Sequence, residues 1–236
     1  ERRRLAAVRA DSGELLWERE SAVLPLTLAV DDRRACWHDG ERIVALDPRS
    51  GRTLWESEPV ERRSKLVSFF APTLVLHDEV VLFSGGSVTP HKSGGGDNPM
   101  FALDAETGEK VWSAPHPPSG YKSPEDLFVV DDLVWFGATI SGGQDGVHRG
   151  YRAASGELER EFPPDVDTYW FHHRCYRGKA TKNYLLISRT GIEFVDLKNE
   201  TWDINHWIRG GCLYGIMPSN GLIYAAPHDC ACYSEA

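Results

Sequence analysis

Short apolar runs alternate with clusters of turn-forming residues along most of the chain. Val80-Val81-Leu82-Phe83-Ser84, Leu133-Val134-Trp135-Phe136-Gly137, Tyr184-Leu185-Leu186-Ile187-Ser188 and Leu222-Ile223-Tyr224-Ala225-Ala226 are such runs. Each follows a polar turn: His77-Asp78-Glu79, Asp131-Asp132, Thr181-Lys182-Asn183 and Ser219-Asn220-Gly221. Apolar runs this short, rich in β-branched and aromatic residues and bounded by turn residues, predict buried strands. No segment sustains a helical period, so the expected class is all-β.

A second pattern repeats between these runs. Residues 45–55 read Ala-Leu-Asp-Pro-Arg-Ser-Gly-Arg-Thr-Leu-Trp, and residues 102–112 read Ala-Leu-Asp-Ala-Glu-Thr-Gly-Glu-Lys-Val-Trp. Residues 7–17 are a third copy and residues 150–160 a worn fourth, ending in Arg160. The glycines, Gly13, Gly51, Gly108 and Gly156, lie 38, 57 and 48 residues apart, the size of a four-stranded blade with variable loops. Asp47 and Asp104 are placed to accept amide hydrogen bonds in a turn. Gly51 and Gly108 supply a positive φ, and Trp55 and Trp112 can fill the gap between neighbouring sheets. A degraded copy, Glu193-Phe194-Val195-Asp196-Leu197, leads to Trp202 without the glycine.

The elements in order predict one blade over 26–58, a second over about 67–115, a third over about 126–163 and a fourth over about 170–205. Residues 1–20 hold the last two strands of a blade, and 212–236 the first two or three of another. The Ala-Leu-Asp-x-x-Thr/Ser-Gly-x-x-x-Trp phrase resembles the PQQ-like repeat family of β-propellers, over most of residues 4–205. That family includes quinoprotein alcohol dehydrogenases and BamB-type outer-membrane assembly propellers. The resemblance implies a β-propeller of four-stranded blades, with residues 1–236 as one segment of about five blades including split terminal ones. The chain starts inside one repeat and stops inside another, so a partial propeller cut from a longer chain is expected. The alternative is a smaller closed ring in which residues 4–20 pair with the strands of 212–236.

Net charge is −9, and Arg2, Arg3 and Arg4 form the one notable basic cluster, which argues against a nucleic-acid partner. No apolar stretch is long enough for a membrane span. Partners on a propeller face, protein or small molecule, and the remaining blades of a longer chain are the expectation, in an extracytoplasmic (periplasmic or secreted) setting.

Candidate chemistry gathers in the last third. His172, His173 and Cys175 precede or enter one innermost strand, Cys212 is placed at the same point of the next, and His228, Cys230 and Cys232 follow. Three readings stay open. One is a disulfide, Cys175 with Cys212, stapling two blades in an oxidising compartment. Another is a soft-metal site for zinc or copper built from these seven residues. The third is structural, with buried cysteines as small apolar fillers. Cys36, beside Trp37 and His38, reads as core filler. A quinoprotein dehydrogenase would carry an adjacent Cys-Cys pair, a carboxylate base and calcium ligands. The sequence has no Cys-Cys dipeptide, so PQQ binding is not expected and a non-catalytic scaffold or binding module leads, with a metal- or quinone-dependent oxidoreductase using a Cys/His site in the C-terminal blades as the alternative. Loops over 84–99 and 141–146 are Gly-rich but lack the strand-to-helix setting of a phosphate loop. They read as surface loops on one face of the ring.

Overall fold

The computed structural model describes residues 3–62, 72–85, 98–116, 126–136, 146–165, 176–187, 191–205 and 207–226. Tight two-residue turns set the hairpins. Asp131 and Asp132 (φ 51° and 60°), like Asn220 and Gly221 (φ 52° and 75°), adopt the paired left-handed geometry that suits the twist of antiparallel strands. Asp and Asn tolerate it because their short polar side chains bond locally.

Four antiparallel meanders result. Blade 1 is β3 (Ala29–Val30), β4 (Ala35–His38), β5 (Arg42–Leu46) and β6 (Thr53–Pro59). Blade 2 is β7 (Thr73–His77), β8 (Val80–Ser84), β9 (Asn98–Asp104) and β10 (Lys110–His116). Blade 3 is β11 (Leu127–Val130), β12 (Leu133–Phe136), β13 (His148–Arg152) and β14 (Leu158–Phe162). Blade 4 is β15 (Lys179–Ala180), β16 (Tyr184–Ile187), β17 (Ile192–Asp196) and β18 (Thr201–Asn205). Before them stands the pair β1 (Arg3–Val8) and β2 (Leu15–Ser21), and after them β19 (Ile216–Ser219) and β20 (Leu222–Ala225). These two pairs form separate sheets, so the closing blade of the smaller-ring alternative does not form among the described residues.

The first strands touch in succession, β3 to β7, β7 to β11, β11 to β15 and β15 to β19. They line the axis, and each sheet packs face to face on the next. The chain is a β-propeller whose core is a series of inter-blade seams rather than one central mass. The seam of blades 1 and 2 is filled by Ile43, Val81, Phe83 and Leu103. Leu82, Ala102, Val134 and Phe136 fill that of blades 2 and 3, and Leu133, Leu185, Val195 and Trp202 that of blades 3 and 4.

The repeated phrase builds a clasp across these seams. In the turns of blades 1 and 2 an aspartate accepts backbone hydrogen bonds: Asp47 from Arg49, and Asp104 from Glu106 and Thr107. A bulge in the returning strand follows, between Leu15 and Trp17, between Thr53 and Trp55, and between Lys110 and Trp112. The extra residue turns the tryptophan toward the following blade. There its ring lies flat on the next glycine, and its indole N–H donates to the carbonyl just after the next turn's first residue. Trp17 bonds Pro48 at 2.9 Å, Trp55 bonds Ala105 at 2.9 Å and Trp112 bonds Ala153 at 2.8 Å. A Cβ on Gly51, Gly108 or Gly156 would fall within 2.8 Å of the ring that covers it. Ala105 and Ala153 also donate their own amides to the inner-turn carbonyls of Glu79 and Asp132. One residue therefore joins the inner turn of its blade to the tryptophan of the blade before. Burying such a ring and making its bond stabilises a seam by roughly 2–4 kcal/mol.

Trp202 departs from the pattern of the other repeats. Its strand carries no bulge: Val195 pairs with Trp202 and Asp196 with Thr201 directly. Without the extra residue the ring turns back into the seam of blades 3 and 4, where it meets His148 at 5.4 Å, instead of reaching forward.

Gly13 and Gly108 both hold φ near +75°, but nothing lies within 4 Å of a Cβ on Gly13, whereas one on Gly108 would sit 2.5 Å from Trp55. Gly13→Ala is expected to cost about 1 kcal/mol of unfolding free energy, from backbone strain alone. Gly108→Ala should cost about 2 kcal/mol more, because the clasp must open. Urea denaturation of the two variants checks this, and equal losses would refute the clasp.

Candidate functional site

Each meander brings the start of its first strand, the end of its second, the start of its third and the end of its fourth to one edge. This is the loop edge. The inner turns and the Asp/Gly turns lie on the opposite, turn edge.

At the loop edge an ion pair between half-buried Arg177 and buried Asp126 joins three blades. Arg177, just before β15, donates to Asp126 Oδ1 at 3.1 Å, to Thr73 Oγ1 at 2.5 Å and to the Pro72 carbonyl at 2.7 Å. Asp126 Oδ2 accepts the Gly178 amide at 2.8 Å. Burial pushes the Asp126 carboxyl upward, against the Arg177 guanidinium and the Gly178 amide, which pull it down. His38 and His148 stand on the same edge. Nδ1 of His38 accepts the Gly40 amide at 3.0 Å and Nε2 donates to the Val60 carbonyl at 3.0 Å, a neutral-ring arrangement. Burial lowers its pKa. His148, between Phe162 and Trp202, is fully enclosed, and burial takes its pKa down to about 4.

At the turn edge His77 Nε2 lies 3.0 Å from Asp132 and 3.7 Å from Asp78, joining blades 2 and 3. Among the described residues these three form the one group with metal-ligating atoms within 4.8 Å of one another. Both carboxylates are exposed, and the close contact serves as an inter-blade hydrogen bond.

The seam of blades 3 and 4 is built differently from the others. Arg160 stands where the clasp tryptophan belongs, after a bulge and opposite Gly150, as Trp112 stands opposite Ala102. Glu200, at φ 59°, stands where the glycine belongs, its amide bonded to Asp196 as Gly108 is to Asp104. Arg160 and Glu200 form an ion pair at 2.5 Å. A large ring still enters this seam, but from the second strand. Trp135 crosses Gly150, where a Cβ would meet it at 2.7 Å, and the Arg160 guanidinium lies 5.9 Å over it. An opening of about 240 Å³ remains. Its floor is Val130, Leu133, Trp135 and Leu197, all buried. Its mouth carries Asp131, Arg160, Lys182, Asn183 and Lys198.

Of the residues expected from sequence to hold a metal, His172, His173, Cys175, His228, Cys230 and Cys232 lie outside the described residues. Cys212 is described and half-buried. It stands in the tight turn closed by the Gly211–Gly215 bridge, four residues before β19, the first strand of its sheet. Cys36 is wholly buried in the seam of blades 1 and 2, its thiol pushed up to about 12 by burial, as a core filler should be. Sequence reasoning missed the Asp126–Arg177 pair and the seam cavity. The Trp-to-Arg160 and Gly-to-Glu200 exchanges were visible in the aligned repeats, but only the packing shows that they face each other.

The fold and the clasps define a propeller of PQQ-like repeats. The chain belongs to the outer membrane protein assembly factor BamB family, whose profile matches residues 1–162. Among solved structures, BamB from Moraxella catarrhalis is 18% identical, with a TM-score of 0.51 over 94% of this chain and 75% of that one. A europium-containing methanol dehydrogenase is 14% identical, with a TM-score of 0.55 over 84% of this chain and 46% of that one. The quinohemoprotein alcohol dehydrogenase of Comamonas testosteroni is 14% identical, with a TM-score of 0.54 over 90% and 42%. The chain thus spans less than half the length of these dehydrogenases, and the likeness is one of fold. A search of curated proteins finds no match. Among the described residues no helix is long and apolar enough to cross a membrane.

Arg177→Ala would strand Asp126 in the interior and is expected to cost about 3 kcal/mol of stability in urea denaturation at pH 7. His148 binds a proton near its ordinary 6.5 when unfolded but only near about 4 when folded. The unfolded chain therefore takes up more protons between these values, so stability is complete above pH 6.5 and falls as pH drops toward 4. His148→Phe should flatten that acid limb in a pH series of thermal melts.

Proposed function

We propose that the chain is a non-catalytic propeller scaffold or binding module, which works outside the cytoplasm and offers its faces to protein or small-molecule partners. The observation that carries this reading is where the described polar groups are spent. Asp47, Asp104 and Asp196 hold turns, His38 ties a loop, His77 bridges two blades, and Asp126 with Arg177 fastens three. The family's role in outer membrane protein assembly supports both the compartment and protein partners.

The quinoprotein alternative fits the residues poorly. The sequence has no adjacent cysteines to stack on a quinone. Asp126, a buried carboxylate just before the first strand of blade 3, is already engaged by Arg177 and Gly178. The deciding experiment incubates the purified chain with PQQ and calcium, removes the excess, and assays dye-linked alcohol oxidation. No retained quinone absorbance and no turnover above buffer are expected. Turnover would replace the scaffold reading with an enzymatic one.

A further inference from the structure

We infer that the seam of blades 3 and 4 is a binding site for a small planar aromatic acid, with the ring between the blades and the carboxylate at the mouth. Three sister seams show what this place accepts: each holds an indole, stacked on the following turn and bonded to it. Here the chain supplies Arg160 instead, and leaves about 240 Å³ over an apolar floor. The opening is lined by Arg160 and Leu197, which stand where the clasp tryptophan and its carbonyl partner stand in the sister seams, and by the Trp135 ring, against which a flat guest can pack.

The charges at the mouth select the guest. Arg160 is paired with Glu200, so Lys182 and Lys198 are the other cations lining the mouth, with Asp131 as its lining carboxylate and Asp196 near Lys198. Both lysines are exposed and lie on the β15–β16 and β17–β18 turns of blade 4, which are joined by the hydrogen bond from the Leu197 amide to the Asn183 carbonyl. A neutral aromatic would fill the floor alone, whereas an aromatic carboxylate also meets the lysines. The site lies away from the loop edge and involves none of the Asp126–Arg177 network. It goes further than the scaffold reading by naming a place and a ligand class. Its failure would leave that reading standing, and alcohol turnover would end that reading without touching this site.

The test uses indole-3-acetate as the charged probe and indole as the neutral one, titrated calorimetrically into the full chain. Indole-3-acetate should saturate a single site and bind about tenfold more tightly than indole, the size expected of two partly screened charges. Lys182→Glu with Lys198→Glu, both at the surface, should abolish that preference and leave indole unchanged. Arg160→Trp with Glu200→Gly rebuilds the clasp, and should remove binding of both probes while raising the melting temperature. Two results would overturn the proposal: no saturable binding of either probe at millimolar concentration, or indole-3-acetate binding that survives the lysine reversals unaltered.

Discussion

The architecture depends on a tryptophan of one blade lying on a glycine of the next. A propeller has no single centre of packing, so each pair of sheets needs its own reason to meet at one register. Apolar side chains alone leave that register loosely set, because hydrophobic contact has no direction. The indole supplies direction. Its N–H must find one carbonyl, and its face fits only where no Cβ intrudes, as at Gly51, Gly108 and Gly156. The bulge that aims the ring and the aspartate that closes the turn serve the same contact.

Polar groups do related work at the opposite edge. Arg177 reaches from blade 4 to blades 2 and 3, and its partner Asp126 is nearly inaccessible. Such a pair adds little net stability over apolar packing, but it penalises any arrangement in which the blades drift apart. Clasps on one edge and an ion pair on the other hold the described blades as a stiff framework. A framework of this kind suits a surface that must be presented in fixed geometry.

The repeated phrase and the apolar runs made the blades legible from sequence because each repeat states the same local chemistry several times. Strands observed over 29–59, 73–116, 127–162 and 179–205 match the expected ranges closely. Which seam Trp202 enters was not legible, for a physical reason. Pattern matching counts residues, whereas the face a strand residue occupies depends on whether a bulge precedes it, and β18 has none. The candidate cavity was hidden for another reason. Arg160 and Glu200 each look like wear in a repeat, and their meaning lies in a contact between residues 40 positions apart. The cysteine and histidine cluster could be seen only as composition, since nothing local dictates where such side chains converge.

The seams also differ in interchangeability. Trp17, Trp55 and Trp112 present the same ring to the same kind of turn, so any of them could grip Gly51, Gly108 or Gly156 equally well. Between such blades a duplication or deletion leaves matching ends that reseal. The joint of Arg160 with Glu200 has no such freedom, because a tryptophan cannot lie on Glu200 and Arg160 finds no counter-charge on a glycine turn. Blades 3 and 4 are therefore keyed to each other. That single exchange turns an otherwise uniform series into one with an address.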